Sequence, residues 1–177
     1  MRTLTARATG LMLVVSFLIP AAAAGQLALE GRLGATMPTG DLSDLDQTAG
    51  LAFAAEIQYT MQRNLTLYGG FGHHRFVCDG CDDPFSSTGL VGGAKLILGA
   101  SGGALPWIRG GLMVHRPSVN GDAGDWGAGL DSGVGIDWNV APNIYLVPAL
   151  RFNTYSSGDI GLTYFTIDLG VHFHLGG

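Results

Sequence analysis

The sequence predicts an all-β chain folded as an eight-stranded antiparallel up-and-down transmembrane β-barrel. Three observations predict it. Apolar and polar residues alternate strictly over long stretches. From Thr163 to Leu175 one parity reads Phe165, Ile167, Leu169, Val171, Phe173, Leu175 and the other Tyr164, Thr166, Asp168, Gly170, His172, His174. Such alternation marks a strand with one apolar and one polar face. Its length is about twice an ordinary strand of about 5–6 residues and suits a membrane crossing of about 9–11. Second, only 13% of the 177 residues are charged, against roughly 25% in a typical soluble domain. Third, hydrophobic residues reach 47% and glycines number 29, yet no run beyond the N-terminus is long enough to cross a membrane as a helix.

The first 24 residues read as a secretory signal peptide. Arg2 and Arg7 form a basic head, Leu11–Ile19 a short apolar stretch, and Ala22-Ala23-Ala24 a small-residue cleavage site before Gly25. The barrel domain is then expected over residues 25–177, exported across a bacterial inner membrane. Without Arg2 and Arg7, seven basic residues face 14 acidic ones, a net charge of −7 with His neutral. That balance argues against nucleic acid as a partner, which calls for a basic patch.

Eight alternating segments follow, with turn chemistry between them. The first is Gln26–Met37, with Leu27, Leu29, Leu33, Ala35 and Met37 opposite Glu30, Arg32 and Thr36. A loop opens at Pro38-Thr-Gly-Asp. The second is Leu51–Met61, with Phe53, Ala55, Ile57 and Tyr59 opposite Glu56, Gln58 and Thr60, closed by the turn Gln62-Arg63-Asn64. The third, Leu65–Arg75, sets Leu67 and Phe71 against Thr66, Tyr68 and His74. A loop is expected from Phe76 to about Thr88. The fourth is Gly89–Leu98 with Lys95 on its polar side, the fifth Leu105–His115 with Arg109, and the sixth Gly127–Trp138 with Asp131 and Asp137. The seventh is Ile144–Tyr155 with Arg151, the eighth the Thr163–Leu175 strand. Connections after the second, fourth and sixth strands are short, and those after the first, third, fifth and seventh are long. Short inner turns and longer outer loops are the plan of an outer-membrane barrel, and only a closed sheet satisfies its backbone in lipid. Pro106 is expected at a strand start, and Pro148 at a bulge or a weakly paired point, because proline cannot donate to a ladder.

The polar parity carries balanced charge. Glu30, Glu56, Asp131 and Asp168 stand against Arg32, Lys95, Arg109 and Arg151. These eight residues are expected to form a charge network in the lumen, since buried charges are costly unless paired. Asp137, near a strand end, is expected to reach water. The apolar parity is almost free of charge, as a lipid face demands: Arg or Lys at the midplane costs about 2–4 kcal/mol. Its aromatics form two belts, Tyr59, Trp138 and Phe173 toward the inner ends, and Phe53, Phe71, Phe152 and Phe165 toward the outer ends. A periplasmic lipocalin-like binder would invert this pattern, with polar residues outside and an apolar cavity within. The polar parity is mostly Gly, Thr, Gln, Tyr and Asn, too sparsely charged for an ordinary soluble surface.

The stretches Gly31-Arg-Leu-Gly34-Ala-Thr-Met-Pro38-Thr-Gly-Asp-Leu and Asn64-Leu-Thr-Leu-Tyr68-Gly-Gly-Phe-Gly resemble the outer-membrane β-barrel domain family of small OmpX-like and OmpA-like barrels. The resemblance spans residues 25–177 and implies both termini in the periplasm, a location in the bacterial outer membrane, and outer-membrane lipid, lipopolysaccharide and the barrel-insertion machinery as partners. That family commonly ends on an aromatic residue read by the machinery. Here Phe173 is followed by His-Leu-Gly-Gly, a departure from the pattern.

Other chemistry is sparse. Cys78-Asp-Gly-Cys81 is read as a disulfide, the default in an exported protein; a redox pair lacks a βαβ setting, and a metal site lacks ligands beyond His73 and His74. The loop aspartates, among them Asp44, Asp82, Asp122 and Asp125, match no EF-hand spacing and read as a solvated acidic surface. His172 and His174 share the polar face and read as lumen filling. Some eight-stranded outer-membrane barrels modify lipid A, and Ser156, Ser157, His74 and His115 approach the outer rim, but no His-x-Ser motif is present. No catalytic, cofactor-binding or metal residues are assigned. The expectation is a structural or surface-interaction role exerted through the acidic outer loops, ahead of a lipid A-modifying enzyme.

Overall fold

A computed structural model describes residues 26–44, 47–78, 84–158 and 160–175. The expected signal peptide lies outside the described residues. The chain forms β1 (Leu27–Thr39), a one-turn helix α1 (Asp41–Asp44), β2 (Gln47–Gln62), β3 (Leu65–Cys78), β4 (Phe85–Ile97), β5 (Ala104–Val119), β6 (Asp122–Ala123), β7 (Gly127–Ala141), β8 (Ile144–Ser157) and β9 (Ile160–His174). Each long strand pairs antiparallel with its sequence neighbour, β4 pairs β5, β5 pairs β7, and β1 pairs β9. Eight staves therefore close on themselves, with no free edge along the wall.

The long strands run 13–16 residues, more than the sequence predicts. Most of the excess is at the outer end, where segments read as loop continue the ladder; β7 instead gains Asn139–Ala141 at its inner end. Phe85 pairs with Val119 and Ser86 with Ser118, and Gln47 pairs with Cys78. Ser157 pairs with Ile160, so the last connection, expected to be a long loop, spans only residues 158–159. Hydroxyls support this extension: Thr154 and Thr163 face each other across the pair, with their Oγ1 atoms 3.0 Å apart. The loop expected over residues 116–126 also contains a strand, β6, whose hairpin with β5 turns on Asn120 (φ 51°) and Gly121 (φ 89°). An Asn-Gly pair with both φ positive is the favoured two-residue hairpin turn.

Period-two alternation puts one parity inside and the other outside. The outward face is a belt of aliphatic and aromatic side chains, with Leu33, Leu51, Leu90 and Leu112 each more than 60% exposed. Toward the outer rim this belt stops at polar outward residues such as Arg75 and Arg116. In water it would be an apolar patch far beyond what a soluble protein exposes. The lipocalin-like alternative, which needs a polar exterior, is therefore not the architecture. Phe53 and Phe71 pack 6.2 Å apart, and Phe152 and Phe165 5.0 Å apart, on the outward face.

Two prolines are accommodated differently. Pro106 is the third residue of β5 and still accepts from Leu98 N at 2.8 Å. At Pro148, among the described residues, the β7–β8 ladder runs from Gly135–Ala149 directly to Trp138–Leu146 with no change of register. The missing donor of Pro148 thus appears as a gap in the ladder and not as a bulge.

Candidate functional site

All eight residues expected on the charged lumen face point into the barrel, and each is at most 8% exposed. Their neighbours follow from register and tilt. Glu30 sits directly across from Glu56 in the β1–β2 pair, a like-charge opposition that destabilises unless cations intervene. Three arginines from β1, β5 and β8 supply them. Arg32 donates through Nη2 to Glu56 Oε1 at 2.7 Å and through Nη1 to Glu30 Oε1 at 2.9 Å. Arg109 Nη1 donates to both Glu56 oxygens at 3.0 Å, and its Nε donates to Asp131 Oδ1 at 2.9 Å. Arg151 Nε lies 2.9 Å from Asp168 Oδ2, and its Nη2 donates to Glu30 Oε1 at 3.4 Å. Glu56 is the hub, within 3.6 Å of all three guanidinium groups.

Neutral groups complete the set. Gln58 Nε2 donates to Glu30 Oε2 at 2.6 Å and Tyr68 OH to Asp131 Oδ1 at 2.7 Å. The Arg109 guanidinium stacks 3.9 Å from the Tyr68 ring centroid, a cation–π contact strengthened by desolvation. The Tyr68 phenol is admitted by glycines: a Cβ on Gly93 or Gly111, which face each other in the β4–β5 pair, would collide with its hydroxyl.

Lys95 stands apart from this cluster. It donates to Asp137 Oδ2 at 2.9 Å, and Trp107 Nε1 donates to Asp137 Oδ1 at 2.7 Å. Asp137 is only 4% exposed, so the expectation that it reaches water is corrected. The inward parity holds to the inner end of β7, and Lys95 and Trp107 there supply partners that make burial tolerable. His172 Nδ1 lies 3.5 Å from Glu30 Oε2, and the His172 and His174 rings are 4.7 Å apart beside Tyr145.

Outward of the charges the lumen is filled by an aromatic and aliphatic cap with a few buried polar groups. Leu42 from α1, Phe76, Phe85, Met113, Leu162 and Tyr164 form a buried cluster with Tyr155. The phenol of Tyr155 donates to Ser87 Oγ at 2.8 Å, and Ser87 Oγ is 2.9 Å from His115 Nδ1. This Ser–His contact was not anticipated, since its members come from β4 and β5 and neither lies in a motif. Ser87 has no exposed surface. Ser157, one of the rim serines, instead donates to the Asp125 carbonyl at 2.9 Å. Between cap and charges lies a cavity of about 30 Å³, bordered by Arg32, His74, Asp131, Asn153 and Asp168, room for about one or two waters.

Cys81 lies outside the described residues, so the Cys78–Cys81 pairing does too. Among the described residues, no group of three or more His, Cys, Asp or Glu is placed to hold a metal.

No family model and no curated protein matches the chain. Solved structures do. Neisserial surface protein A aligns with a TM-score of 0.72 at 15% identity, over 84% of this chain and 96% of that one. The outer membrane protein OprG of Pseudomonas aeruginosa gives 0.58 at 10% identity, over 86% and 97%. The N-terminal β-barrel domain of OprF, from the same organism, gives 0.51 at 15% identity, over 84% and 99%. With the closed ring of eight antiparallel staves, these likenesses establish the chain's fold as that of the small outer-membrane β-barrels.

Proposed function

We propose that the protein resides in the bacterial outer membrane as a barrel with a closed lumen, and acts through the face formed by its outer loops. One observation carries this reading most: both halves of the lumen are occupied by side chains. The charged residues cross-link β1, β2, β5, β7, β8 and β9 from within, and the aromatic cap fills the outer half. An eight-stranded barrel is just wide enough for side chains to fill. The space between charges and cap, about 30 Å³, has room for only about one or two waters. The apolar outer belt supports the membrane setting, and the acidic loop residues support a surface role. Cys78 and Cys81 are proposed to clip the β3–β4 loop through a disulfide.

The test is fractionation of expressing cells with electrophoresis before and after boiling, followed by planar-bilayer recording of the purified protein. The expected result is a membrane-bound protein that shifts on boiling and gives no stepwise conductance. A soluble, unshifted protein sinks the membrane reading, and steady channel steps sink the closed lumen.

A further inference from the structure

The outer mouth contains a second concavity, separate from the charged lumen. It has a volume of about 440 Å³ and lies between the β5–β6 hairpin and the β8–β9 turn. Small-molecule sites typically occupy about 300–1,000 Å³. Its floor is apolar, made by Phe85 and Leu162 of the cap together with Pro117 and Val119. Its rim carries two carboxylates, Asp122 and Asp125, and the hydroxyls of Ser118 and Ser157. No Lys, Arg or His is among its described lining residues.

The rim is held in place by three ties. Gly124 N donates to the Pro117 carbonyl at 2.9 Å, Arg116 Nε donates to the Gly124 carbonyl at 2.7 Å, and Ser157 Oγ donates to the Asp125 carbonyl. The last bond ties the Asp125 segment to the end of β8, so the two walls keep their spacing. A site built before its ligand arrives loses less entropy on binding.

We infer that this pocket binds a compact cationic amphiphile: a small aromatic or aliphatic body on the apolar floor, with an ammonium group at Asp122 and Asp125. The argument is complementarity: an apolar floor selects an apolar body, and two carboxylates with no lining cation select a positive head. The proposal deepens the reading of the outer face as the interaction surface, and rests on it. The carboxylates are solvent-exposed, so they confer preference and not high affinity. An exposed pair is worth at most about 1 kcal/mol, or about fivefold.

The full chain, folded in lipid nanodiscs, is titrated with phenethylamine, phenylethanol and phenylacetate while the amide resonances of Ser118, Ala123 and Gly158 are followed. Saturable shifts are expected, with the amine binding about fivefold tighter than the alcohol and the acid weakest. In the double variant Asp122→Asn, Asp125→Asn, the amine should fall to the affinity of the alcohol, whose own affinity is unchanged. The idea is overturned by the absence of saturable shifts, by equal affinity for amine and alcohol, or by an amine preference that survives the double variant. The three-ligand comparison on the unmodified chain needs no variant to fold. Loss of the boiling shift would strike the membrane reading itself, whereas a folded barrel that binds none of the three rejects this pocket alone.

Discussion

Glu56 is the residue on which the interior turns. It meets three arginines from three strands, β1, β5 and β8. A buried ion set gains little over an apolar filling, but removing one member strands the rest at about 3–5 kcal/mol. Arg109→Leu, which leaves Asp131 and part of Glu56 uncompensated, is expected to cost about that much, read as a lowered denaturant midpoint for refolding into vesicles. Glu56→Gln should cost a similar amount by leaving guanidinium groups facing one another. The double variant should be less damaging than the sum of the two, because each removes the other's stranded partner. Strict additivity would show that the two side chains are not coupled. The identities of these eight residues were legible in the sequence, because a period of two assigns each to a face without any knowledge of its partners. Which carboxylate met which arginine was not legible, since that depends on register and tilt. Asp137 was misjudged for a related reason: nearness to a strand end predicts water only when the neighbouring staves leave it uncovered, and Trp107 covers it.

At the scale of elements, the β4–β5 pair shows how glycine serves the barrel. Gly93 and Gly111 face each other on the lumen side, and the Tyr68 hydroxyl from β3 occupies the space their missing side chains leave. Tyr68 in turn reaches Asp131 and stacks on Arg109. Gly111→Val should expel the Tyr68 ring and release both contacts, with a destabilisation of about 1–3 kcal/mol from overpacking alone. Unfolding midpoints indistinguishable from the unmodified chain would rule out this arrangement. From the short helix α1, Leu42 has no exposed surface and anchors the β1–β2 connection in the cap. The cap was hidden from sequence reasoning because Phe76, Phe85 and Leu42 fall in segments rich in loop-forming residues. Phe76 does continue the inward parity of His74, and that is the signal that could have revealed it.

For the whole molecule, one sheet separates two environments with opposite demands. Outside, a bare aliphatic belt suits lipid. Inside, charges pair with one another and aromatics pack together. Leu112, 69% exposed midway along β5, probes the outer demand. Leu112→Arg should destabilise the barrel by about 2–4 kcal/mol in bilayers, measured as the shift in refolding equilibrium. A neutral effect would place that face in water. The number of staves and their closure were legible because turns and alternation recur along the whole chain. The outer extensions of the strands were not, because Ser, Thr and Pro read as loop until a partner strand extends beside them.

A ring of staves has no natural place to come apart, yet Pro148 gives this one a perforation. The paired rungs at Gly135–Ala149 and Trp138–Leu146 bracket a stretch where β7 and β8 have no paired residues. Asp137, on that stretch, holds Lys95 of β4 on the far side of β5 and the Trp107 indole of β5. The same Trp107 indole packs against Val147 and Ala149 of β8, so the seam is bridged from behind, across the interior, by a tether. Amide exchange should begin beside this gap, and cutting the tether with Lys95→Met should hasten it there before any other part of the wall loosens. The weakest line of the cylinder and the isolated ion pair of its lumen would then be two sides of one joint.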